Sequence, residues 1–471
     1  MLAVVVVVLV LLAGGGAYYY YSTLPTSTTT TSMASTSSMM ASPTLSGSIT
    51  VAAEAGYSDS ALKQIAKDFM AQYPGTTINV VSLTYDAALT DYVTAFQANQ
   101  SVYDVLFVGD NGGYLGELPP YLLDLSPYIS NPAYFPASYN YSDILTSQLA
   151  WFKIGSADYA LPYVADTNLF FYRPSFFNSM TNQQQFQTQY GYPLPNPANT
   201  TFTLQQFVDV ANFFNGAHGA KYGVITMSGP GDDDMADSLL ELFASARVAS
   251  ASTYGPVTAP YGDLFTSSGQ ILSNTTTFQT TLSAYVQLVK ASEDPLTASF
   301  DSVSSLFASG DAPMMVFWSF PALTLSNSSI SKDWAVAPTV PGGVSIDSGE
   351  GLAIFKYTHN LPLSLAFLEF ATTPTESYKY ITLNDLMPFR YSGFAYEAQQ
   401  NLMATQLVNI ELNTLKGSVQ GVSNVPYWPQ ISTYIRGEMP SIVSGSVTVA
   451  QGCSVITSES VQAGATAYTG T

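Results

Sequence analysis

Strand-like and helix-like runs of apolar positions follow one another through the first part of the main body of this chain. Short runs at Ile49–Ala53, Ile78–Leu83 and Val105–Val108 are rich in the residues of buried strands. Between them, Ser60–Gln72 and Ala87–Ala98 have the pattern of amphipathic helices. This order predicts an α/β protein with largely parallel sheets. In such a sheet, a ligand is expected at the carboxyl ends of the strands, where the strand order reverses.

A second pattern lies further along the chain, where two apolar and aromatic runs are separated by three residues. The runs Tyr159–Val164 and Asn168–Tyr172 both have strand character, and Ala165–Thr167 lies between them. Because a carboxylate is costly to bury, we expect Asp166 to face a wet crevice. Pro174 ends the second run, since proline cannot donate to a strand ladder. The pattern predicts one strand leaving a first domain and another entering a second.

Segments in register with these runs resemble the extracellular solute-binding proteins of ABC importers, of the sugar-binding type called family 1. Together they span roughly residues 48 to 452. The resemblance implies an α/β, two-lobed periplasmic-binding-protein-like (Venus flytrap) fold with three hinge crossings. The segments are ITVAAEAGYSDSALKQIAKDFMAQYP (Ile49–Pro74), DVLFVGDNGGYLGELPPYLLDLSPYI (Asp104–Ile129), YALPYVADTNLFFYRPSFF (Tyr159–Phe177), FASGDAPMMVFW (Phe307–Trp318), WAVAPTVPGGVSIDSGEGLAIFK (Trp334–Lys356), LSLAFLEFATTP (Leu363–Pro374) and MPFR (Met387–Arg390).

The resemblance also implies a division of the chain into lobes. We expect lobe 1 to comprise residues 47–164 with 314–348, and lobe 2 to comprise 165–313 with 349–471. The hinge crossings are then expected near Asp166, Pro313 and Gly349.

The N-terminal region has the composition of an anchor followed by a stalk. Residues 1–21 carry no charged side chain, are long enough to span a bilayer as a helix, and end in Tyr18–Tyr21, an expected interfacial belt. The run resembles the hydrophobic part of archaeal pilin-like signal sequences, in which a short basic leader precedes it; the alternative is a cleaved signal peptide. Residues 22–46 are mostly Ser and Thr and predict an extended, O-glycosylated stalk.

Composition restricts both the ligand and the environment. Of the 471 residues, 10% are charged, against a usual share of about 25%. The net charge of -20 argues against nucleic acid as a partner and favours an uncharged ligand. Few ion pairs and a pI near 4.1 favour a protein that works outside an acidophile. The alternative is a secreted glycoprotein at neutral pH, with sequons at Asn99, Asn140, Asn199, Asn274 and Asn327.

Sugar recognition requires flat aromatic faces and planar carboxylates or amides in a concave site. The sequence places such residues after strands and at the hinge crossings, and the resemblance gives these positions ligand contacts. Capping, loop solvation or core packing are the alternative roles for each of them. The candidates are Glu54, Tyr57, Asp110, Asn111, Asp166, Trp318, Glu350, and the pair Tyr427 and Trp428 in a loop before the predicted helix Ile431–Ser444.

Other motifs do not support a cofactor or a metal. Asp232–Asp234 precede the predicted helix Met235–Ala246, where carboxylates are favoured; sugar or Ca²⁺ contact is the alternative. The glycines of Gly109–Gly113 are not followed by the Gly-Lys-Ser/Thr of a nucleotide loop. His218, His359 and the single cysteine, Cys453, share no metal-ligand spacing.

The resemblance thus implies a non-enzymatic receptor, expected to be monomeric and held at the outer face of the membrane by its N-terminus. It would capture a neutral mono- or oligosaccharide and deliver it to the permease subunits of an ABC transporter. One alternative is a binding protein for oligopeptides or another polar nutrient. The other is an extracellular glycoside hydrolase, because a carboxylate pair in an aromatic cleft also serves hydrolysis.

Overall fold

The computed structural model describes residues 45–98, 100–109, 113–229, 234–293, 296–319, 321–400 and 405–470. The predicted anchor and nearly all of the stalk lie outside the described residues, as do Asn99, Asp110, Asn111, Asp232 and Asp233. Contacts divide the chain into residues 1–44 and Leu45–Thr471, and the description below concerns the second unit. Over the ranges that are described, no helix has the length and apolar character needed to cross a membrane.

The predicted alternation at the start of this unit is confirmed. It consists of β1 (Gly47–Glu54), α1 (Asp59–Gln72), β2 (Thr76–Leu83), α2 (Tyr85–Gln97) and β3 (Val105–Gly109). The buried positions of α1 recur three and four residues apart, as the apolar stripe of the sequence requires.

The chain continues with short helices and two central strands. In order these are α3 (Tyr114–Glu117), α4 (Ser126–Ile129), α5 (Thr146–Trp151), β4 (Lys153–Ile154), β5 (Ala157–Asp158), β6 (Ala160–Tyr172), α6 (Pro174–Phe177), α7 (Met180–Tyr190), α8 (Leu204–Phe214), α9 (Asp234–Ala249), α10 (Ala251–Tyr254), β7 (Gln270–Ile271), α11 (Thr276–Lys290), α12 (Phe300–Ala308), β8 (Met314–Trp318), α13 (Ala322–Ser326), β9 (Ala335–Val336) and β10 (Ile346–Ile354). Short 3-10 turns lie at Pro119–Tyr121, Ala137–Tyr139 and Tyr141–Asp143.

Helices dominate the C-terminal part. They are α14 (Leu361–Ala371), α15 (Pro374–Asn384), α16 (Tyr391–Gln400), α17 (Thr405–Gly417), α18 (Trp428–Ser444) and α19 (Val449–Ala463), with strands β11 (Val419–Gln420) and β12 (Thr466–Ala467) between and after them.

The main sheet has the strand order β2-β1-β3-β10-β6-β8, with β11 beside β10 and β9 beside β6. Strand β1 pairs in parallel with β2 and β3. Strand β10 is antiparallel to β3 and β6, and β6 is antiparallel to β8. The expectation of a largely parallel sheet is therefore wrong beyond β3. The reason is that β6 and β10 are long strands that run in opposite directions through the middle of the sheet.

Strand β6 is one uninterrupted strand of 13 buried residues. The predicted break at Ala165–Thr167 does not occur, because β10 supplies pairing partners through it: Ser348 lies opposite Asp166 and Gly349 opposite Ala165. The second half of β6, from Asn168 onward, pairs instead with β8 and β9. The first half of β6 thus belongs to a first group of strands, with β1, β2, β3 and β10, and its second half belongs to a second group, with β8 and β9.

Strand pairing disagrees with part of the expected lobe assignment. Met314–Trp318 pairs with the Asn168 end of β6, although 314–348 was expected in lobe 1. Glu350–Ile354 pairs with β3, although 349–471 was expected in lobe 2. Helix α14 packs on β1 and α1, where Phe69 lies edge-on to a ring of α14 at 5.5 Å. The lobe boundaries themselves stay a prediction, and these pairings show only which strands the two returning segments join.

Asp104, immediately before β3, joins three parts of this unit. Its buried carboxylate accepts hydrogen bonds from Thr50 N at 2.9 Å, from Thr358 Oγ1 at 2.6 Å and from His359 N at 3.0 Å. These donors belong to β1 and to the segment that follows β10. Both oxygens of Asp104 are thus used to fix β1, β3 and β10 at this end of the sheet.

We predict that Asp104→Asn lowers the free energy of unfolding by about 1–3 kcal/mol, because one acceptor oxygen becomes an NH2 group and leaves buried donors unsatisfied. Urea denaturation followed by circular dichroism measures the loss. The exposed Asp91 of α2 provides the control, Asp91→Asn, which should change stability by less than about 0.5 kcal/mol. Equal effects of the two substitutions would contradict this role.

Candidate ligand-binding site

Asp166 lies at the middle of β6 and binds its own neighbour Thr167 together with residues that follow two other strands, β1 and β8. Its Oδ1 accepts hydrogen bonds from Thr167 N at 2.8 Å, Ser319 N at 3.2 Å and Ser319 Oγ at 2.9 Å. The Tyr57 hydroxyl also donates to this carboxylate. Tyr57 follows β1 and Ser319 follows β8, so loops from distant parts of the chain meet at Asp166. The structure therefore brings together two of the predicted site residues, Tyr57 and Asp166.

Asp166 is only 6% exposed, so the expectation that it faces a wet crevice is wrong for this conformation. Burial raises its pKa to about 6, and the hydrogen bonds from Ser319, Thr167 and Tyr57 offset part of that effect. The hydrogen bonds satisfy the carboxylate where water does not, which is how the sequence tolerates a charged group in a buried strand.

Glu350 lies beside Asp166 in the neighbouring strand. It is buried, pairs with Val164 of β6 and Gly109 of β3, and accepts a hydrogen bond from the Tyr163 hydroxyl. Glu350 and Glu54, the last residue of β1, both act on buried Tyr92, whose pKa is raised first by burial and then by nearby charges that include these two. Glu350 and Glu54, both predicted site residues, therefore lie close enough to Tyr92 to influence the same buried hydroxyl.

Gly349 allows the backbones of β6 and β10 to approach each other closely. The place where Ala165–Thr167 of β6 pairs with Asp347–Gly349 of β10 is called the crossing below, because the chain passes there from one group of strands to the other. Its φ is +151°, and a Cβ at this position would lie 2.4 Å from Gln148 Oε1 and 2.6 Å from the carbonyl oxygen of Val164. A side chain does not fit in that space. The register shift between Glu350 and Gly351 follows directly, so the glycine and the bulge together set the direction of the Glu350 side chain.

The two predicted tryptophans lie at the ends of elements that border the crossing. Trp318 ends β8 opposite Asn168 and precedes Ser319, the residue that binds Asp166. Trp428 is fully buried and is the first residue of α18. The expectation that the helix begins at Ile431, with Trp428 in a loop, is wrong because Pro429 fits the first turn of a helix, where its missing N–H is not needed.

Close backbone contact brings the segment after β3 against the start of α18. A Cβ on Gly113 would lie 2.9 Å from Pro429 Cδ and 3.7 Å from Trp428 Cβ. A Cβ on Gly116 would lie 2.6 Å from the Val425 carbonyl oxygen. Asp110 and Asn111, outside the described residues, directly precede this segment in the sequence.

Tyr427, the remaining candidate, is half-buried and borders the surface. Its ring lies 6.3 Å from the Phe265 ring and borders a groove formed with Gln430 and Tyr434. Tyr427 is half-buried and directly precedes α18, whereas Trp428, the first residue of the helix, is fully buried.

Sequence reasoning missed a cluster of buried carboxyls beneath Asp166. Glu411 of α17 is 2% exposed, and the charged groups that act on it in the described part of the chain are all acidic: Glu397, Asp166 and Asp385. Burial raises the pKa of Glu411 well above its usual range, and these neighbours raise it further. Burial and then Asp385 raise the pKa of Glu397 to about 8. A sequence signal existed, since Glu411 shares an i, i+3, i+7 stripe with buried Val408 and Leu415.

A second carboxylate that sequence analysis missed, Glu241 of α9, binds residues of both β6 and the start of β10. Its Oε2 accepts hydrogen bonds from Ile346 N at 2.9 Å, Ser345 Oγ at 3.0 Å and Asn168 Nδ2 at 3.3 Å. Thr167 Oγ1 adds a bond to the Ile346 carbonyl oxygen at 2.8 Å. Burial raises the pKa of Glu241 to about 7. One side chain thus holds β6 and β10 together at the point where their partners change.

The residues described by the structure contain no group of three or more His, Cys, Asp or Glu side chains placed to hold a metal ion. His218 stacks on Phe213 at 3.8 Å, and His359 Nδ1 lies 3.6 Å from Asp104 Oδ1. Cys453 is buried in α19.

These raised pKa values predict that the protein is more stable in acid than at neutral pH. An unfolded carboxyl has a pKa of about 4, whereas Asp166, Glu241 and Glu397 reach about 6, about 7 and about 8. The stabilisation is fully present below about pH 4 and is lost as the pH rises through these folded values. For Asp166 the loss is roughly 3 kcal/mol. Calorimetric Tm values from pH 4 to pH 9 should therefore fall.

Glu411→Gln isolates the cluster, because the amide resembles the protonated acid at every pH. We expect this variant to have a shallower fall of Tm between pH 5 and pH 8 than the native protein. Glu459→Gln in α19, where the glutamate is half-exposed, should leave the slope unchanged. A native Tm that rises over this range, or identical slopes for native protein and Glu411→Gln, would contradict the prediction.

Comparison with known proteins identifies the family. A family model described as bacterial extracellular solute-binding protein matches residues 54–377. No curated protein matches the chain. Among solved structures, maltose-bound MalE3 of T. maritima is similar at 18% identity and a TM-score of 0.69, over 88% of this chain and 99% of that one.

Two further solved structures have the same fold. The GacH receptor of Streptomyces glaucescens GLA.O, solved unliganded and with acarbose, has 17% identity and a TM-score of 0.66 over 89% of this chain and 98% of its own. A solute-binding protein of Thermotoga lettingae TMO bound with α-D-tagatose has 17% identity and a TM-score of 0.68 over 89% and 100%. These similarities confirm the predicted α/β two-lobed fold. The match of the family model over well more than half of the chain shows that this protein belongs to the bacterial extracellular solute-binding proteins, the substrate-binding components of ABC importers rather than enzymes.

Proposed function

We propose that this protein captures a neutral mono- or oligosaccharide between its two lobes and delivers it to the permease subunits of an ABC importer. The observation that carries the proposal is the convergence of Tyr57 and Ser319 on Asp166, in the strand that connects the two groups of strands. A carboxylate and hydroxyls at a strand crossing are the groups that pair with sugar hydroxyls.

The chemistry around the crossing favours an uncharged, hydroxyl-rich ligand. The donors that bond to Asp166 are backbone N–H groups and the hydroxyls of Ser319 and Tyr57, all neutral. Trp318 at the end of β8 and Trp428 at the start of α18 are both buried in this conformation, so they contribute packing rather than an exposed face. With a net charge of -20, an anionic ligand would be repelled at long range.

We assign the lobes from strand pairing and helix packing. Lobe 1 comprises about residues 45–165 and 349–400, because β10 returns to β3 and because α14 and α15 pack on α1. Lobe 2 comprises about residues 166–348 and 405–470, because β8 pairs with the second half of β6 and because α18 and α19 pack on α9 and α11. The hinge then includes Asp166 of β6 and Gly349 of β10.

The remaining parts of the proposal rest on the sequence. Residues 1–21 anchor the protein in the membrane and residues 22–46 form a glycosylated stalk, so that a monomeric receptor works on the outside of an archaeal cell. The low content of charged residues and the raised pKa values of the buried carboxyls support an acidic exterior, because both reduce the loss of stability at low pH.

Isothermal titration at about pH 7.5, where the Asp166 carboxylate is ionised, against maltose, glucose, mannose, mannitol and tetra-alanine tests the ligand class. We expect one of the neutral carbohydrates to bind, and Asp166→Asn to weaken it by tenfold to a hundredfold, since a hydrogen bond to a charged group contributes about 1.5–3 kcal/mol. Small-angle scattering with the same ligand should show a smaller radius of gyration, as expected for closure of two lobes.

Asp209→Asn in α8, remote from the crossing, is the matched control and should bind as the native protein does. Melting curves at the titration pH verify that both variants are folded. Binding of tetra-alanine without any carbohydrate would replace the sugar proposal with a peptide receptor. Release of product from a fluorogenic glycoside would point to a hydrolase instead.

A further inference from the structure

A shallow groove on the surface lies between α18 and the end of α19. It has a volume of about 320 Å³, near the lower end of the range for small-ligand sites. Its walls come from the turn before α18, the first two turns of that helix and the last turn of α19. The lining residues are Pro426, Tyr427, Gln430, Tyr434, Gln462 and Ala463.

Helical spacing places the groove on a different face of α18 from Trp428. Tyr427, Gln430 and Tyr434 lie at positions i, i+3 and i+7, which share one face of a helix. Successive residues are about 100° apart around the helix, and Trp428 is fully buried on its own face. The groove residues are half-buried or exposed. A ligand in the groove would therefore contact neither Trp428 nor the crossing strands.

The Tyr427 ring is held in place by its surroundings. The Phe265 ring lies 6.3 Å away at an angle of 57°. On another side, a Cβ added to Gly464 would lie 3.2 Å from Tyr427 Cδ1, so the backbone after α19 abuts the ring. A ring that is already fixed loses little conformational entropy when a ligand packs against it.

The chemistry of the groove is that of carbohydrate recognition. Two tyrosine rings supply flat faces and hydroxyls, and two glutamine amides each supply donors and an acceptor. None of the six lining residues carries a charge, which gives an anionic ligand no partner. We propose that this groove is a second, surface carbohydrate site, which binds a sugar ring of a neutral polysaccharide independently of the ligand captured between the lobes.

Affinity electrophoresis of the full chain tests the proposal. The native protein runs through gels that contain soluble starch, mannan or dextran, and its mobility is compared with that in a plain gel. We expect at least one polymer to retard it. Tyr434→Ala and Gln462→Ala should each raise the apparent Kd by about tenfold, as the loss of one aromatic or amide contact implies. Tyr434→Phe keeps the ring and should retain most of the binding.

Two controls separate this site from the one between the lobes. Tyr391→Ala removes a similarly exposed tyrosine from α16 and should be retarded like the native protein. Asp166→Asn should also be retarded normally, even where it abolishes sugar binding in titration. Gln462 is exposed at the end of α19, so its variant keeps the test valid if Tyr434→Ala is unstable. The proposal is overturned if no polymer retards the native protein, if both groove variants behave as native, or if Asp166→Asn alone removes retardation.

Discussion

The continuous pairing of β6 with β10 through Asp166 is the constraint on which the rest of this structure depends. Thirteen buried residues in one strand leave no room for an irregular joint, so every backbone group at the crossing must find a partner in the ladder. Strand β10 provides those partners up to Thr167, after which β8 replaces it. The carboxylate of Asp166 then takes its own bonds from Ser319, at the end of β8, and from Tyr57, after β1. A polar group in a buried strand thus ties both groups of strands to one position.

Burying the charged form of the carboxyls at the crossing costs free energy, and their hydrogen bonds offset only part of this cost. Glu411 and Glu397 lie beneath Asp166 with acidic neighbours, and Glu241 lies on the other side. Burial favours the neutral acid and raises the pKa of each of these groups, and acidic neighbours raise the pKa of Glu397 and Glu411 further. Each of these groups therefore stabilises the fold most where it is protonated. The scarcity of surface ion pairs points in the same direction, because a protein with few of them has little to lose in acid.

The sequence predicted what is encoded locally and missed what depends on distant partners. The alternation from β1 to β3 follows from apolar periodicity within short windows, and it is confirmed. Asp166 lies in β6 just before the point where the pairing partner changes from β10 to β8, and its hydrogen bonding depends on Ser319, 153 residues away. The order of the returning segments depends on which strands pair, and a resemblance of local segments does not specify that. Trp428 was expected in a loop before a helix that starts at Ile431, but the helix begins at Trp428, because proline is well tolerated in a first turn.

Glu411 shows why part of the site could have been found and part could not. Its position in an otherwise apolar stripe is visible in the sequence, and a buried carboxyl on such a stripe needs a partner or a proton. Its neighbours, Glu397 and Asp385, come from other elements and are brought near only by the packing of α16 and α17.

The start of helix α18 gives a second example of a property that the sequence does not specify. Adjacent Tyr427 and Trp428 are chemically similar, yet a rotation of about 100° per residue directs one to a surface groove and the other to the interior. Burial of Trp428 therefore depends on what packs around the start of α18, which the sequence of the pair does not specify.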